Sequence, residues 1–528
     1  MRSAVTIAMV CVASVCCAVP TAAVAQATPT VAPTERVTSD IMRLAAVGLI
    51  DTIVVGSRPY SRREVVRMLN EAQRNIDRLD RGRSWAAAVI RADLAIYAVP
   101  PPLLDRASAE ETLFNSAVRG VPGDANGSLD ATIDPLVAYR EGRPLGQSFT
   151  ETLETWHGVA LGPMLALQLN PRLTLPTPTS PTGSRALVLQ SGAANTLFGN
   201  LSIEAGRDYV VFGPEPDGGL LLSNNGPALT LARVMNDSPI VLPGWLRIAG
   251  PARAALFVAD LGVGHQVFPH SRLAGYHVAI EPSRHLELGG GLIDEMGGDG
   301  APAGTFTQRI IDLFPPIKNY QFSNKLAAFD GHLRLPEWMG FEAYVETALD
   351  DFDVRRIRSS LLEDGGWVGG VSVACIFECG RVGLRAEYRQ TGIRFYTHNQ
   401  FASGVESQGV ILGDPLGPRG LGGYVTVDRE SDGPAGTLAL AAAFEVRSGN
   451  LYGSVDTLPH DANFHFVQTL HRPAEKRARA LLSWTPAGAR DSRVHVEAKT
   501  GLEHVDNFNW NGTTRWNALG QLSVIYRP

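Results

Sequence analysis

From about Leu113 to the end of the chain, apolar and polar residues alternate with a period of two. In RVHVEAK, Arg493 to Lys499, the odd positions are polar and the even ones apolar. Between Arg381 and Gln390, Val382, Leu384, Ala386 and Tyr388 stand opposite Arg381, Arg385, Glu387 and Arg389. Leu438, Leu440, Ala442, Phe444 and Val446 form another apolar face, and Leu201, Ile203 and Ala205 alternate with Ser202, Glu204 and Gly206. Successive side chains of a strand point to opposite faces, so each of these segments reads as a strand with one apolar and one polar face. Gly, Pro, Asn and Asp clusters separate them, and little helical pattern intervenes.

Alternation does not say which face is inside. A soluble sandwich hides its apolar face, whereas a membrane barrel turns it to lipid. The all-strand region is large for a sandwich, its polar positions are rich in Arg and Glu that suit a wet or plugged lumen, and the N-terminus marks the chain for export. An aromatic content of 7% is low for two girdles. The balance favours a mainly β fold: a large transmembrane antiparallel barrel of about 16–18 strands over residues 111–528.

Residues 1–25 read as a secretory signal, with Arg2 at the positive end, an apolar run from Ala4 to Val19, and Ala23-Val24-Ala25 before Gln26. A membrane anchor fits less well, because the run is short and broken at Pro20. Cys11, Cys16 and Cys17 lack the small preceding residue of a lipoprotein site. Residues 26–110 read as a periplasmic α-helical bundle. Ile41, Leu44, Ala45, Val47 and Gly48 share a face, Ser61-Arg62-Arg63-Glu64 has the form of a capping box, and a third helix from Trp85 ends at Pro100-Pro101-Pro102. Nine arginines between Arg58 and Arg91 read as a solvated helical face.

Setting aside residues 1–25, which hold one of the 47 basic and none of the 53 acidic residues, leaves a net charge of −7. That is no nucleic-acid profile. Catalytic signatures are missing: no G-x-S-x-G, H-E-x-x-H, phosphate loop or dinucleotide fingerprint occurs. The chain reads as no enzyme, with no cofactor. Asp350-Asp351-Phe352-Asp353 lacks an EF-hand ligand pattern and reads as a loop carboxylate cluster, so no metal site is expected. Cys375 and Cys379, at a hairpin tip in an exported protein, read as a disulfide. Alternation pairs Val373 with Val382 there, which calls for a bulge at Gly380. Candidate sugar contacts are Trp510 and Trp516 around the Asn511-Gly512 turn, and Tyr396 with His398 in FYTHNQF. Lone histidines beside aromatics are commonly loop hydrogen-bonders, and tryptophans at a barrel rim also anchor it in the interface.

The segment GRDYVVFGPEPDGGLLLSNNGPALTL, Gly206 to Leu231, carries much turn chemistry around little strand. Polar, glycine-rich backbone cannot face lipid. It can lie in the lumen or beyond the membrane as an external loop; residues 213–227 are read as folding into or across the lumen, with Arg207, Asp208, Gly213, Pro214, Ser223, Asn224 and Asn225 as the plug motif. Asn224 and Asn225 are expected among Arg and Glu from the polar strand faces.

This segment, with SRPYSRREVVRMLNEA, LAGYHVAIEPSRHLELGGGL, NYQFSNKLAAFDGHLRLPEW, YVETALDD, YRQTGIRFYTHNQFASG and ILGDPLGPRG, resembles the Wzi-type capsule-assembly family of outer-membrane proteins. The likeness runs in order through most of the mature chain. It implies a barrel of about 18 strands behind a periplasmic helical bundle, and a role in holding surface polysaccharide. Outer-membrane lipid and the barrel-assembly machinery are then the further partners. A porin-like channel is the alternative, and a periplasmic glycan-processing enzyme a distant one.

Overall fold

The computed structural model describes residues 26–98, 111–119, 149–175, 186–313, 323–350, 357–431, 436–448, 473–486 and 492–527, less positions 81, 265, 303, 378, 397, 399, 402, 409 and 509. The signal at 1–25, the triple proline at 100–102 and Asp351 to Asp353 lie outside the described residues.

Three helices open the chain: α1 (Arg36–Ala46), α2 (Arg62–Arg74) and α3 (Arg83–Tyr97). Ile41, Leu44, Val65, Met68, Leu69, Trp85, Val89 and Ile90 recur at helical spacing and bury together in one core. Gly48, at φ +80°, ends α1 instead of extending its apolar face. Its amide bonds to the Ala45 carbonyl and that of Leu49 to Leu44, the hydrogen-bond pair of a Schellman stop. At the start of α2 half of the capping box forms. Ser61 Oγ accepts from the Glu64 amide at 3.1 Å, but the Glu64 carboxylate turns to Arg67 at 2.8 Å and Ser238 Oγ at 2.6 Å.

Eighteen long antiparallel strands among the described residues form a closed barrel, in which the first, Glu111–Arg119, pairs with the last, Thr513–Tyr526. Closure leaves no edge with unpaired amides, which lipid demands. Leu440, Phe444, Leu482, Leu502 and Leu522 point outward and are exposed, while Glu445, Arg447, Arg477 and Glu503 point into the lumen and are buried. The apolar alternation is thus a lipid-facing belt.

One barrel end has tight connections, such as Gly199-Asn200 and Arg284-His285; the other has the long segments 209–228, 261–271 and 392–419. The barrel's first strand starts and its last strand ends at the tight-turn end, where the helices also dock. Arg43 pairs with Asp428, Arg63 with Asp237 at 2.6 Å, and Trp85 Nε1 donates to Glu430 at 2.9 Å. The solvated-face reading of the nine arginines is therefore corrected. Arg58 and Arg62 are buried and Arg63 and Arg67 are paired, whereas Arg74, Arg78, Arg83 and Arg91 are exposed; Arg81 is outside the described residues. The inner arginines satisfy carboxylates and carbonyls where the bundle meets the barrel.

A disulfide joins Cys375 and Cys379 in a tight turn whose half-buried sulfurs pack on the helical core beside Trp85. The expected register is corrected here. Val373 pairs with Leu384, and Cys375 bridges Val382, so the ladder runs two residues further round. Gly380 takes φ +78°, and a Cβ there would strike the Trp85 ring.

Candidate functional site

Two segments enter the lumen from opposite ends and meet. From the tight-turn end, residues 53–60 run up between α1 and α2. From the other end, residues 209–228 fold down between the strands Leu201–Asp208 and Leu229–Asn236. They meet as a two-residue ladder, Ser57 with Phe212 and Arg58 with Val211, extended by a 3.0 Å bond from the Gly213 amide to the Gly56 carbonyl. Backbone hidden from water must find partners, and this pairing supplies them.

Each segment is also fixed to the wall. Glu287 accepts from the Val55 amide at 3.0 Å and the Gly56 amide at 2.8 Å. Arg58 is 2% exposed and donates to the carbonyls of Gly213 at 3.1 Å, Glu215 at 2.5 Å and Pro216 at 2.7 Å. Tyr60 donates to the Val54 carbonyl at 2.9 Å, and the Arg253 guanidinium lies 5.0 Å from its ring centre. Burial pushes the Tyr60 phenol up to about 12, with the nearby Arg253 charge opposing. Above, Leu220 donates from its amide to Glu346 at 2.8 Å, and Leu220, Leu221 and Leu222 bury among Phe257, Leu273, Ile293 and Phe395. A polar wall thus encloses a small apolar core made by the three leucines of the glycine-rich segment.

Ser57, His277 and Asp330 stand in line. Ser57 Oγ is 2.9 Å from His277 Nδ1, and His277 Nε2 is 2.8 Å from Asp330. Asp330 as acceptor makes Nε2 the donor, and Nδ1 then accepts from the serine hydroxyl. The order matches a nucleophile, base and carboxylate relay. Yet Ser57 and His277 are each 1% exposed and the Phe212 ring stacks on the imidazole at 5.1 Å, so no substrate reaches the hydroxyl. The row is a latch between the N-terminal segment and the wall. Sequence reading missed it, because its members are more than 50 residues apart and belong to no local motif.

The residues expected in the plug divide. Gly213 and Pro214 are buried at the meeting point, with Gly213 at φ +106°. Asp208 faces inward and accepts from Arg233 at 3.0 Å and Thr30 at 2.8 Å. Arg207 is a correction: it neighbours Asp208 on a strand and so takes the outer face. Ser223 and Asn225 are buried, and both bond to backbone carbonyls. Ser223 Oγ donates to Gly413 O at 2.5 Å, and Asn225 Nδ2 to Ile411 O at 2.8 Å. Their partner is the backbone of a second inward segment, residues 392–419. Asn224 is held through its own amide, 2.9 Å from Asp217 O, and among the described residues its Oδ1 has no partner.

The sugar candidates also separate. Tyr396 has no exposed face; it donates to Leu220 O at 2.5 Å and accepts from the Asp414 amide at 2.7 Å, which welds the two inward segments together. That corrects its reading as a sugar contact. His398 is half-buried at the long-loop end and its Nδ1 accepts from the Gln400 and Phe401 amides at 3.2 and 3.3 Å. Trp510 sits at the same end with the Arg419 and Arg447 guanidinium groups 4.7 and 5.1 Å from its ring. Trp516 is exposed on the outer face against His504, at 4.7 Å, in the manner of an interface anchor. No group of three or more metal-ligating side chains forms among the described residues.

Among solved structures, the chain is similar to Wzi of Escherichia coli, described as an outer-membrane protein involved in group 1 capsule assembly and a carbohydrate-binding β-barrel. The match has a TM-score of 0.67 at 15% identity and covers 94% of this chain and 99% of that one. OccAB2 of Acinetobacter baumannii matches with a TM-score of 0.46 at 10% identity, over 81% of this chain and 99% of that one. OpdQ of Pseudomonas aeruginosa matches at 0.45 and 8%, over 80% and 98%. No curated protein sequence matches. The family model for capsule assembly protein Wzi matches residues 125–516, well over half of the sequence. The chain belongs to the Wzi capsule assembly family.

Proposed function

We propose that this protein is an outer-membrane barrel that holds or organises capsular or related polysaccharide at the cell surface, without catalysis. The observation that carries the reading is the obstructed lumen, in which residues 53–60 and 209–228 pair at its centre. A barrel with its lumen obstructed in this way suits a scaffold better than an open pore. The helices belong in the periplasm, because both ends of the barrel chain and the tight turns lie with them, as in outer-membrane barrels generally. Export by residues 1–25 and insertion by the barrel-assembly machinery complete the proposal. Polysaccharide is held at the long-loop end, where Trp510 and His398 are the candidate contacts.

The channel reading is tested by conductance of the purified protein in planar bilayers. Current near the bare-bilayer level is expected. Steady open-pore current from the unmodified protein would exchange this proposal for the porin-like one.

A further inference from the structure

The helices close only part of the barrel. Under the plug, the sector bounded by Gly420–Glu430, Thr437–Arg447, Glu475–Thr485, Val494–Phe508 and Thr513–Tyr526 keeps a cavity of about 480 Å³ between its wall and helices α1 and α3. That lies within the roughly 300–1,000 Å³ of small-molecule sites. Toward the long-loop end, a lattice of Arg447 with Glu475 at 3.4 Å, Arg477 with Glu475 at 2.7 Å and Arg479 with Glu445 stands above it on two of the same strands. Toward the tight-turn end the lining includes Ser39, Thr485 and Arg527, so the cavity belongs to the face that carries the helices.

The chemistry of the lining identifies an occupant. Seven carboxylates face four Lys or Arg side chains, which disfavours a polyanion. Several of the charges neutralise one another: Arg43 pairs with Asp428, Arg36 with Glu430 at 3.6 Å, and Tyr97 donates to Glu35 at 2.5 Å. Six Ser and Thr residues also contribute to the lining, and Tyr97 supplies aromatic surface. Gln521 is 9% exposed and lines the cavity; among the described residues its Oε1 accepts no hydrogen bond. That oxygen faces the cavity and can accept from a ligand hydroxyl in place of water.

We propose that this cavity is a second carbohydrate site, on the helix-bearing face, which takes a neutral, hydroxyl-rich oligosaccharide segment and rejects polyanionic ones. The inference rests on the reading of the chain as a polysaccharide-handling protein. It adds a site on the opposite side of the lattice from the long-loop end, so glycan can be engaged from both faces of the barrel.

The test is calorimetric titration of the full-length protein in detergent with maltohexaose, cellohexaose and mannohexaose, and with an oligogalacturonate of the same length. At least one neutral hexamer should bind, and the oligogalacturonate should bind at least tenfold more weakly at this site. Ala439→Trp, which fills the cavity from the wall, should weaken the neutral hexamer at least tenfold, and Gln521→Leu about threefold to tenfold. Heat-modifiable gel migration establishes that each variant is folded, and Gln521→Leu carries the test should Ala439→Trp fail to fold. Absence of neutral-hexamer binding, or binding indifferent to both cavity variants, would overturn the proposal. Failure of the broader reading looks different: cells lacking the whole protein would retain their polysaccharide.

Discussion

Replacing Arg58 by leucine removes the cation that ties the two lumen segments together. Its guanidinium serves three carbonyls, those of Gly213, Glu215 and Pro216, and it is almost wholly buried. A hydrogen bond from a charged donor contributes roughly 1.5–3 kcal/mol, and each carbonyl left dry costs about 1–3 kcal/mol. The desolvation that Arg58 no longer bears offsets part of this, since burial opposes its charge strongly enough to lower its pKa. A net loss of about 3–5 kcal/mol for the docked plug follows, or roughly two to three and a half powers of ten in the ratio of undocked to docked plug. The barrel itself, held by its closed ladder, should keep wild-type heat-modifiable migration. Single-channel recording should then show openings that the wild type lacks. Arg58→Lys should fall between, because an ammonium keeps the charge but not the planar fork that reaches several carbonyls. Wild-type current in Arg58→Leu, with unchanged resistance of residues 209–228 to protease, would refute this account of the plug.

Three further outcomes are expected. Asn225→Ala removes the donor to Ile411 and should weaken the plug by about 1 kcal/mol, whereas Asn224→Ala should be near neutral; denaturant midpoints separate them, and equal effects would contradict the assignment. Gly219→Ala should disrupt the plug more than either, because its Cβ would overlap the Glu346 carboxylate; wild-type protease resistance of 209–228 would count against the close approach. Burial pushes Glu406, in the 392–419 segment, up from its ordinary 4.5 to about 8. A carboxyl with a raised folded pKa favours the folded segment fully below about 4.5, and that contribution falls by roughly 1.4 kcal/mol per unit as pH rises toward 8. Limited proteolysis of 392–419 should therefore speed up between pH 6 and 8, and Glu406→Gln should flatten the dependence; the same slope in the variant would exclude Glu406 as its source.

Period two was readable because each strand lies between lipid and a polar lumen, so the environment imprints itself on every second residue, as at Leu440 against Glu445. The inward fold of 209–228 was readable for a related reason, since Gly213-Pro214 and Asn224-Asn225 suit neither ladder nor lipid. Its partners were not. Ser57, Arg58 and Tyr60 sit in a short segment without periodicity, and nothing local announces that Ser57 meets His277 or that Asn225 meets Ile411. The arginines of the helical region misled because charge on a helix looks the same whether it faces water or a carboxylate-lined mouth; Arg63 and Asp237 are 174 residues apart. Arg207 was misplaced by grouping it with Asp208, although alternation alone sends neighbours to opposite faces. Tyr396 looked like an exposed aromatic because the sequence does not show that its loop turns inward.

The most direct measurement is the partition of polysaccharide between cells and medium in a strain lacking this protein, compared with the same strain carrying it again. If the barrel holds polysaccharide at the surface, the deletion should shift polymer from the cell-bound to the shed fraction with total synthesis unchanged. The restored strain should reverse the shift. Equal cell-bound fractions in all strains would contradict a surface-holding role.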